Sequence, residues 1–234
     1  MKTTRFFVMA MVAMLGVGLV SCGNENNGGD PSKPDQPGDG WVNLGLPSGV
    51  QWATCNVGAD TPEKYGNYFA WGETATKSNY NWETYKYCVD GAYDQLTKYC
   101  NDSDYGYDGF TDNLTTLQPM DDAATTFDPS MRTPTAAEWQ ELIDNTTAEW
   151  TKVNGVGGVK FTASNGNSIF LPATGRRYLV NTLDVNALGC YWTSSLETGD
   201  ATMAIVYELS SAEQDSNPYE RSYGMPVRAV RNVK

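Results

Sequence analysis

The hydrophobic and polar positions change period along this chain. In "TPTAAEWQELID", residues 133–144, Ala136, Trp139, Leu142 and Ile143 recur at helical spacing, which predicts an amphipathic helix. Pro134 biases Thr133 toward extended backbone, and Thr135 with Glu138 has the spacing of a capping box, so the helix begins there. "DDAATTF", residues 121–127, predicts a second, short helix with acids at its positive end. Beyond the longer helix the period shortens. "GVKFTASNGNSIFLP" reads as a hairpin around Asn165-Gly166, and "CYWTSSL", "ATMAIVYELS" and "GMPVRAVR" are three further strand candidates. "WVNLGLPSGVQWATCNVGA" near the start mixes strand formers with Gly and Pro, which predicts short strands and tight turns. The expected class is α+β: two helices, mainly antiparallel strands and long loops.

The amino end has a different pattern. Lys2 and Arg5 precede an uncharged apolar run, Phe6 to Val20, too short for a comfortable membrane span and well suited to a secretory signal peptide. Leu19-Val20-Ser21-Cys22 resembles a bacterial lipobox, which makes residues 1–21 the signal peptide and Cys22 the lipidated first residue of the mature chain. Acyl chains on Cys22 would hold a folded domain at a membrane without a spanning helix, and the expected place is the outer membrane, at the cell surface. Residues 23–40 contain no apolar side chain besides proline and read as a disordered tether of roughly 25 Å average span. Residues 41–234 are long enough for one domain with a real core.

Charge and composition then remove function classes. The chain has 28 acidic and 16 basic residues, a net charge of −12, which disfavours nucleic acid and anionic lipid as partners. Histidine is absent, so Ser-His-Asp and Cys-His catalysis and histidine metal sites are excluded. No GxSxG, P-loop or dinucleotide glycine pattern occurs. Glu73, Glu138 and Glu141 could each be proposed as a catalytic acid, but a lone carboxylate carries no signature, and a helix cap or solvated face explains each better.

Four cysteines remain after Cys22. An exported chain permits disulfides, and Cys88 with Cys100 flanks an Asp-Gly turn signal at 90–91, so that pair is the expected bridge, with Cys55–Cys190 following by elimination. "NDSDYGYDGFTDN" puts Asp102, Asp104, Asp108 and Asp112 in one loop. Calcium is the cofactor such oxygens suit, although the EF-hand spacing fails and a plain acidic turn is the simpler account. From Tyr65 to Tyr107 lie nine of the 14 tyrosines, with Trp71 and Trp82, among Asn, Asp and Gly. Trp82, Tyr85, Tyr93, Tyr105 and Tyr107 are the candidate ligand-binding aromatics of this loop-rich stretch. Trp41, Trp52, Trp71, Trp139 and Trp192 are assigned to the core.

The blocks "WVNLGLPSGVQWATCNVGA", "YFAWGE", "YKYC", "LTKYC", "DDAA", "RTPTAAEW", "FLPATGRR", "YWTSSL" and "YGMPVRAVR" together resemble the Fibrobacter succinogenes major paralogous domain, found in lipoproteins of gut Bacteroidetes. The resemblance runs from about Trp41 to Arg231. "RTPTAAEW" and "YWTSS" are also similar to blocks of the formylglycine-generating enzymes, and both groups imply a C-type-lectin-like fold. In those enzymes a cysteine pair near the carboxyl end binds metal and performs the oxidation. Here only Cys190 lies in that half, so the activity does not carry over. The Glu-Pro-Asn and Trp-Asn-Asp triplets of sugar-binding C-type lectins are absent as well. The resulting expectation is a non-enzymatic surface lipoprotein that binds an external glycan or protein. Its rivals are an enzyme related to the formylglycine-generating group, a two-carboxylate carbohydrate hydrolase, and a structural envelope protein.

Overall fold

The computed structural model describes residues 40–233. The expected signal peptide, Cys22 and nearly all of the tether lie outside the described residues. The chain opens with β1 (Trp41–Asn43) and β2 (Gln51–Asn56), then crosses a long loop region punctuated by single 3-10 turns at Trp82–Thr84, Tyr107–Gly109 and Pro119–Asp121. Two helices follow, α1 (Ala123–Phe127) and α2 (Ala136–Asp144). The rest is strand: β3 (Thr146–Val153), β4 (Val156–Ala163), β5 (Ser168–Pro172), β6 (Arg176–Tyr178), β7 (Asn181–Leu183), β8 (Gly189–Leu196), β9 (Met203–Leu209), β10 (Gln214–Glu220) and β11 (Arg228–Arg231). Every strand pairing is antiparallel, so the α+β class holds.

Four small sheets result: β1-β2-β11, β3-β4-β5, β8-β9-β10 and the β6-β7 hairpin. The first joins the two ends of the domain, because β11 pairs with β2. Arg228 of β11 reinforces the junction from inside. Its buried guanidinium donates to Asn56 Oδ1 (2.8 Å) and the carbonyls of Ala53, Thr54 and Phe170 (2.8–3.0 Å), tying β11 to β2 and β5. Hydrogen bonds to each arm satisfy a charge that would be costly to bury alone.

The helix starts follow the local chemistry. Thr135 Oγ1 accepts the Glu138 amide at 3.2 Å, and Glu138 Oε2 accepts the Thr135 amide at 2.8 Å, closing the capping box. Arg132 grips the same carboxylate with both terminal nitrogens, at 2.7 and 2.5 Å. Asp122 caps α1 through the Ala124 amide (2.9 Å) and also accepts the amide and hydroxyl of Thr133 (2.8 and 2.6 Å), which fastens the two helix starts together. Trp139 and Leu142 face inward from α2 into a core with Trp52, Phe161, Tyr191 and Tyr207. A second core gathers Trp71, Tyr80, Tyr85, Tyr99, Trp192 and Val206 beneath the long loops. All five tryptophans assigned to the core are buried.

Three strand regions depart from the sequence expectation. β3 pairs with β4 through a two-residue Asn154-Gly155 turn with φ positive at both residues, a hairpin signal as strong as Asn165-Gly166. β10 is polar and contains Pro218, tolerable because it lies at the edge of its sheet. β6 and β7 are only three residues each. The expected disulfides are also corrected: Cys55, Cys88, Cys100 and Cys190 are all free thiols. Cys88 Sγ donates instead to Trp82 O (3.3 Å), and Cys100 Sγ to Asp102 O (2.9 Å). Among the described residues no helix is long and apolar enough to cross a membrane.

Candidate functional site

Asn81 starts the 3-10 turn that presents Trp82, its side chain accepting the Thr84 amide at 3.2 Å. The Trp82 indole is half-buried and fixed at both ends. Its N–H donates to Glu220 Oε2 (3.0 Å), and its ring meets Tyr85 edge-to-face at 5.2 Å. Behind it, Leu96, Cys100 and Ala201 form a small core on which Trp82, Cys88 and Tyr105 all pack. Trp82 and Tyr105 are thus brought to one place.

Tyr85 is not part of that surface. It is 4% exposed; its hydroxyl donates to Trp71 O (2.8 Å) and accepts Arg221 Nε (2.9 Å), and burial raises its phenol pKa. Arg221 is itself fully buried. It donates to the carbonyls of Lys98, Tyr99 and Ala201 at 2.8–2.9 Å and lies over the Trp71 and Tyr85 rings, both 5.2 Å from its guanidinium carbon. Tyr85 therefore belongs to the scaffold that positions Trp82. Tyr93 and Tyr107 are displayed, at 54% and 49% exposure.

The loop of aspartates holds its shape without bringing the four carboxylates together. Asp112 accepts the amides of Tyr99 (2.8 Å), Cys100 (3.1 Å) and Leu114 (3.1 Å). Asp102 accepts the Asp104 amide at 2.9 Å, an Asx turn. Asp104 and Asp108 point to solvent. Among the described residues no three Cys, Asp or Glu side chains are grouped to hold a metal ion, so the calcium reading of Asp102, Asp104, Asp108 and Asp112 gains no geometry. Gly106 closes the loop tightly: a Cβ there would fall 1.8 Å from the Phe110 carbonyl oxygen.

The surface continues into residues the sequence reading passed over. Tyr223 stacks on Tyr178 (centroids 4.8 Å, planes 20° apart) and meets the edge of Tyr219 at 5.9 Å. The Tyr223 amide donates to the carbonyl of Glu220, the residue that holds Trp82. Tyr219 donates to Glu208 Oε1 at 2.5 Å and carries Arg176 over its ring at 5.3 Å. A band of partly exposed aromatics therefore runs from Tyr105 through Trp82 and Tyr223 to Tyr178, with Glu220, Glu208 and Arg176 along it. Its second half sits on β6 and the end of β10. A half-exposed tyrosine in a sheet leaves no periodic signal, so pattern reading could not single these out.

Groups suited to chemistry are taken up elsewhere. Glu73 accepts Lys77 Nζ (2.9 Å) and the Lys86 amide (2.8 Å); Glu141 accepts the amide and hydroxyl of Ser48 (2.7 and 2.5 Å); Glu138 caps α2. Asp121 accepts Tyr87 and Tyr99 hydroxyls and Lys98 Nζ, and these donors hold its pKa below the usual carboxylate range against the opposing effect of burial. Burial pushes the Cys190 thiol up to about 12 and raises Cys88 and Cys100, so these thiols stay protonated at neutral pH. A cavity of about 10 Å³ beside Trp71, Glu73, Asp121 and Trp192 has room for no more than a water. The chain matches no family model, no curated protein and no solved structure.

Proposed function

We propose that this protein is a lipid-anchored, non-catalytic binding domain, carried on the outer membrane by Cys22 and engaging an external glycan or protein along its aromatic band. The observation that carries the reading is the band itself: Trp82, Tyr105, Tyr178 and Tyr223 keep part of each ring at the surface while hydrogen bonds and ring contacts behind them fix their orientation. Large rings with one wet edge contribute much contact area at little conformational cost, which is why they recur at recognition surfaces. A non-catalytic role is supported by the absence of histidine, by buried thiols whose pKa values are raised, and by structural partners on Glu73, Glu138 and Glu141. A C-type-lectin-like fold is proposed with it. The pairing of β2 with β11, two helices, long loops and small antiparallel sheets among the described residues are compatible with that architecture.

The test is a glycan array and a protein pull-down run in parallel with the full-length chain. Saturable binding without turnover, reduced at least tenfold by Tyr178→Ala, is expected. Turnover of any bound glycan, or binding untouched by substitution along the band, overturns the reading.

A further inference from the structure

Two kinds of exposed group lie together on the loops between residues 80 and 113, and neither is offset. The first is aromatic: Tyr93 is 54% exposed, Tyr107 49% and Phe110 36%. The second is acidic. Asp90, Asp94, Asp104 and Asp108 are exposed, and among the described residues none of them joins an ion pair. The stretch has two bases, Lys86 and Lys98, and both turn to buried Asp121, at 3.6 and 2.5 Å. Elsewhere exposed bases stand beside acids, as Lys64 does with Asp60 and Arg176 with Asp184.

These loops are held in one arrangement. Leu96 bridges to Cys88 on one side and to Gly106 on the other, which sets the 89–95 turn beside Tyr105 and Tyr107. The Leu96 amide donates to Tyr105 O at 2.8 Å, and its carbonyl accepts the Tyr107 amide at 2.9 Å. Gly91 lies so close to the turn that presents Trp82 that a Cβ there would fall 2.7 Å from Glu83 Cα. The surface therefore adjoins the aromatic band at Trp82 and Tyr105. Negative charge gathers around one of its rings: Asp200 first, with Asp102 and Asp104 adding to it, raises the Tyr105 phenol pKa.

We infer that this surface docks a cationic polypeptide, with Lys or Arg side chains lying over Tyr93, Tyr105 and Tyr107 and reaching Asp90, Asp94, Asp104 and Asp108. The inference rests on the recognition role proposed above and chooses protein over glycan as the partner at this end of the band. Every other occupant leaves one feature unmatched. A second copy of the chain, net charge −12, brings acid against acid, and so do nucleic acid and anionic lipid. A neutral glycan stacks on the rings and leaves four carboxylates without a counter-charge. A metal ion has no use for the rings, and the carboxylates are spread along the loops rather than grouped around one point. A Lys or Arg side chain matches both features. Its charge is attracted to a ring face, and its methylene stem covers apolar surface while the head reaches a carboxylate. One exposed ion pair contributes little, so several must act together, which is what repeated acids and rings on a fixed frame provide. Until a partner arrives, the unpaired acids repel one another and lower the stability of the free domain.

The experiment measures binding of the full-length chain, in detergent, to a labelled peptide of alternating Arg and Ser, with a Gln-Ser peptide as the neutral control. Saturable binding of the first and none of the second is expected. Three variants separate the causes. Asp90→Asn with Asp94→Asn, Asp104→Asn and Asp108→Asn should weaken binding at least tenfold. Asp144→Asn with Glu149→Gln, Glu213→Gln and Asp215→Asn removes the same charge from exposed acids elsewhere and should weaken it less than twofold. Tyr93→Ala with Tyr107→Ala keeps every charge and should weaken binding at least fivefold. Thermal melting supplies an independent reading: the first variant should melt at or above the wild-type temperature, because repulsion is relieved. No saturable binding of the Arg-Ser peptide, equal binding of the Gln-Ser peptide, equal loss from both charge variants, binding untouched by the tyrosine pair, or a lower melting temperature for the first variant overturns the proposal. Tyr178, on which the test of the band turns, is intact in every variant, so the two readings fail separately.

Discussion

The ring of Trp52 meets Trp139 edge-to-face, with centroids 4.9 Å apart and planes inclined at 75°. This contact joins β2, the central strand of the sheet that closes the domain, to α2. On its other side Trp139 stacks on Tyr207 at 5.3 Å. Neither indole N–H has an acceptor among the described residues. Trp139 therefore acts through ring packing, and the two kinds of substitution should separate. Trp139→Ala is expected to cost about 3–5 kcal/mol, and Trp139→Phe, which loses no hydrogen bond, about 1.5 kcal/mol. Urea unfolding of the two variants measures the difference, and equal losses would contradict a packing role.

Asp121 predicts how stability depends on pH. Its folded pKa is depressed, so its contribution is fully present above the unfolded carboxylate range near pH 4 and is lost as pH falls through the folded value. Lys98 Nζ is 2.5 Å away with its side chain 20% exposed, and the carboxylate is 3% exposed. Asp121→Asn should destabilise by about 3 kcal/mol at neutral pH. The gap between wild type and variant should narrow as pH drops below about 4. Glu138, also depressed and paired with Arg132, should behave in the same direction. A gap constant from pH 7 to pH 3 would show that the charge of Asp121 contributes nothing.

The thiols predict a chemical result. Cys55, Cys100 and Cys190 are buried, Cys88 is half-buried, and all four are free. A thiol reagent at neutral pH should label the native domain slowly, with Cys88 first, and label all four cysteines after denaturation. Peptide mapping that recovers a Cys88–Cys100 or Cys55–Cys190 bridge would restore the sequence expectation against the structure.

What could be read from the sequence divides by physical range. Thr135, Glu138 and Asp122 act within a few residues of themselves, so both helix starts were legible. So was the helix face of Trp139 and Leu142, because burial on one side leaves a period. The Asn154-Gly155 turn was equally legible and would have given β3. Arg228 and Arg221 were not legible, since a buried arginine satisfied by distant carbonyls looks like any surface arginine. The aromatic cluster divides in the same way. Trp82 and Tyr105 reach the surface, whereas Tyr85, three residues along, turns inward because Arg221, 136 positions away, waits there for its hydroxyl. The second half of the band, Tyr178 and Tyr223, comes together only through sheet pairing between Arg177 and Gly224.

That division makes a final prediction for the aromatics. Tyr85 is bonded to Arg221, and removing its hydroxyl leaves one arm of a buried guanidinium short of an acceptor. Tyr85→Phe should therefore destabilise by about 1–3 kcal/mol although it removes a single oxygen. Tyr107 and Tyr93 are about half exposed, and Tyr107→Ala or Tyr93→Ala should change stability by less than about 0.5 kcal/mol. Trp82 lies between these cases. Its ring packs on Tyr85 and the Leu96 cluster, so Trp82→Ala should lower both stability and binding, and Glu220→Ala, which frees the indole without deleting it, should lower binding more than stability. Thermal melts of the five variants, followed by binding of whichever glycan or protein the arrays and pull-downs identify, read both quantities on the same samples. If Tyr107 and Tyr93 prove as destabilising as Tyr85, those two tyrosines are core; if Trp82→Ala and Glu220→Ala leave binding unchanged, the band is not the recognition surface.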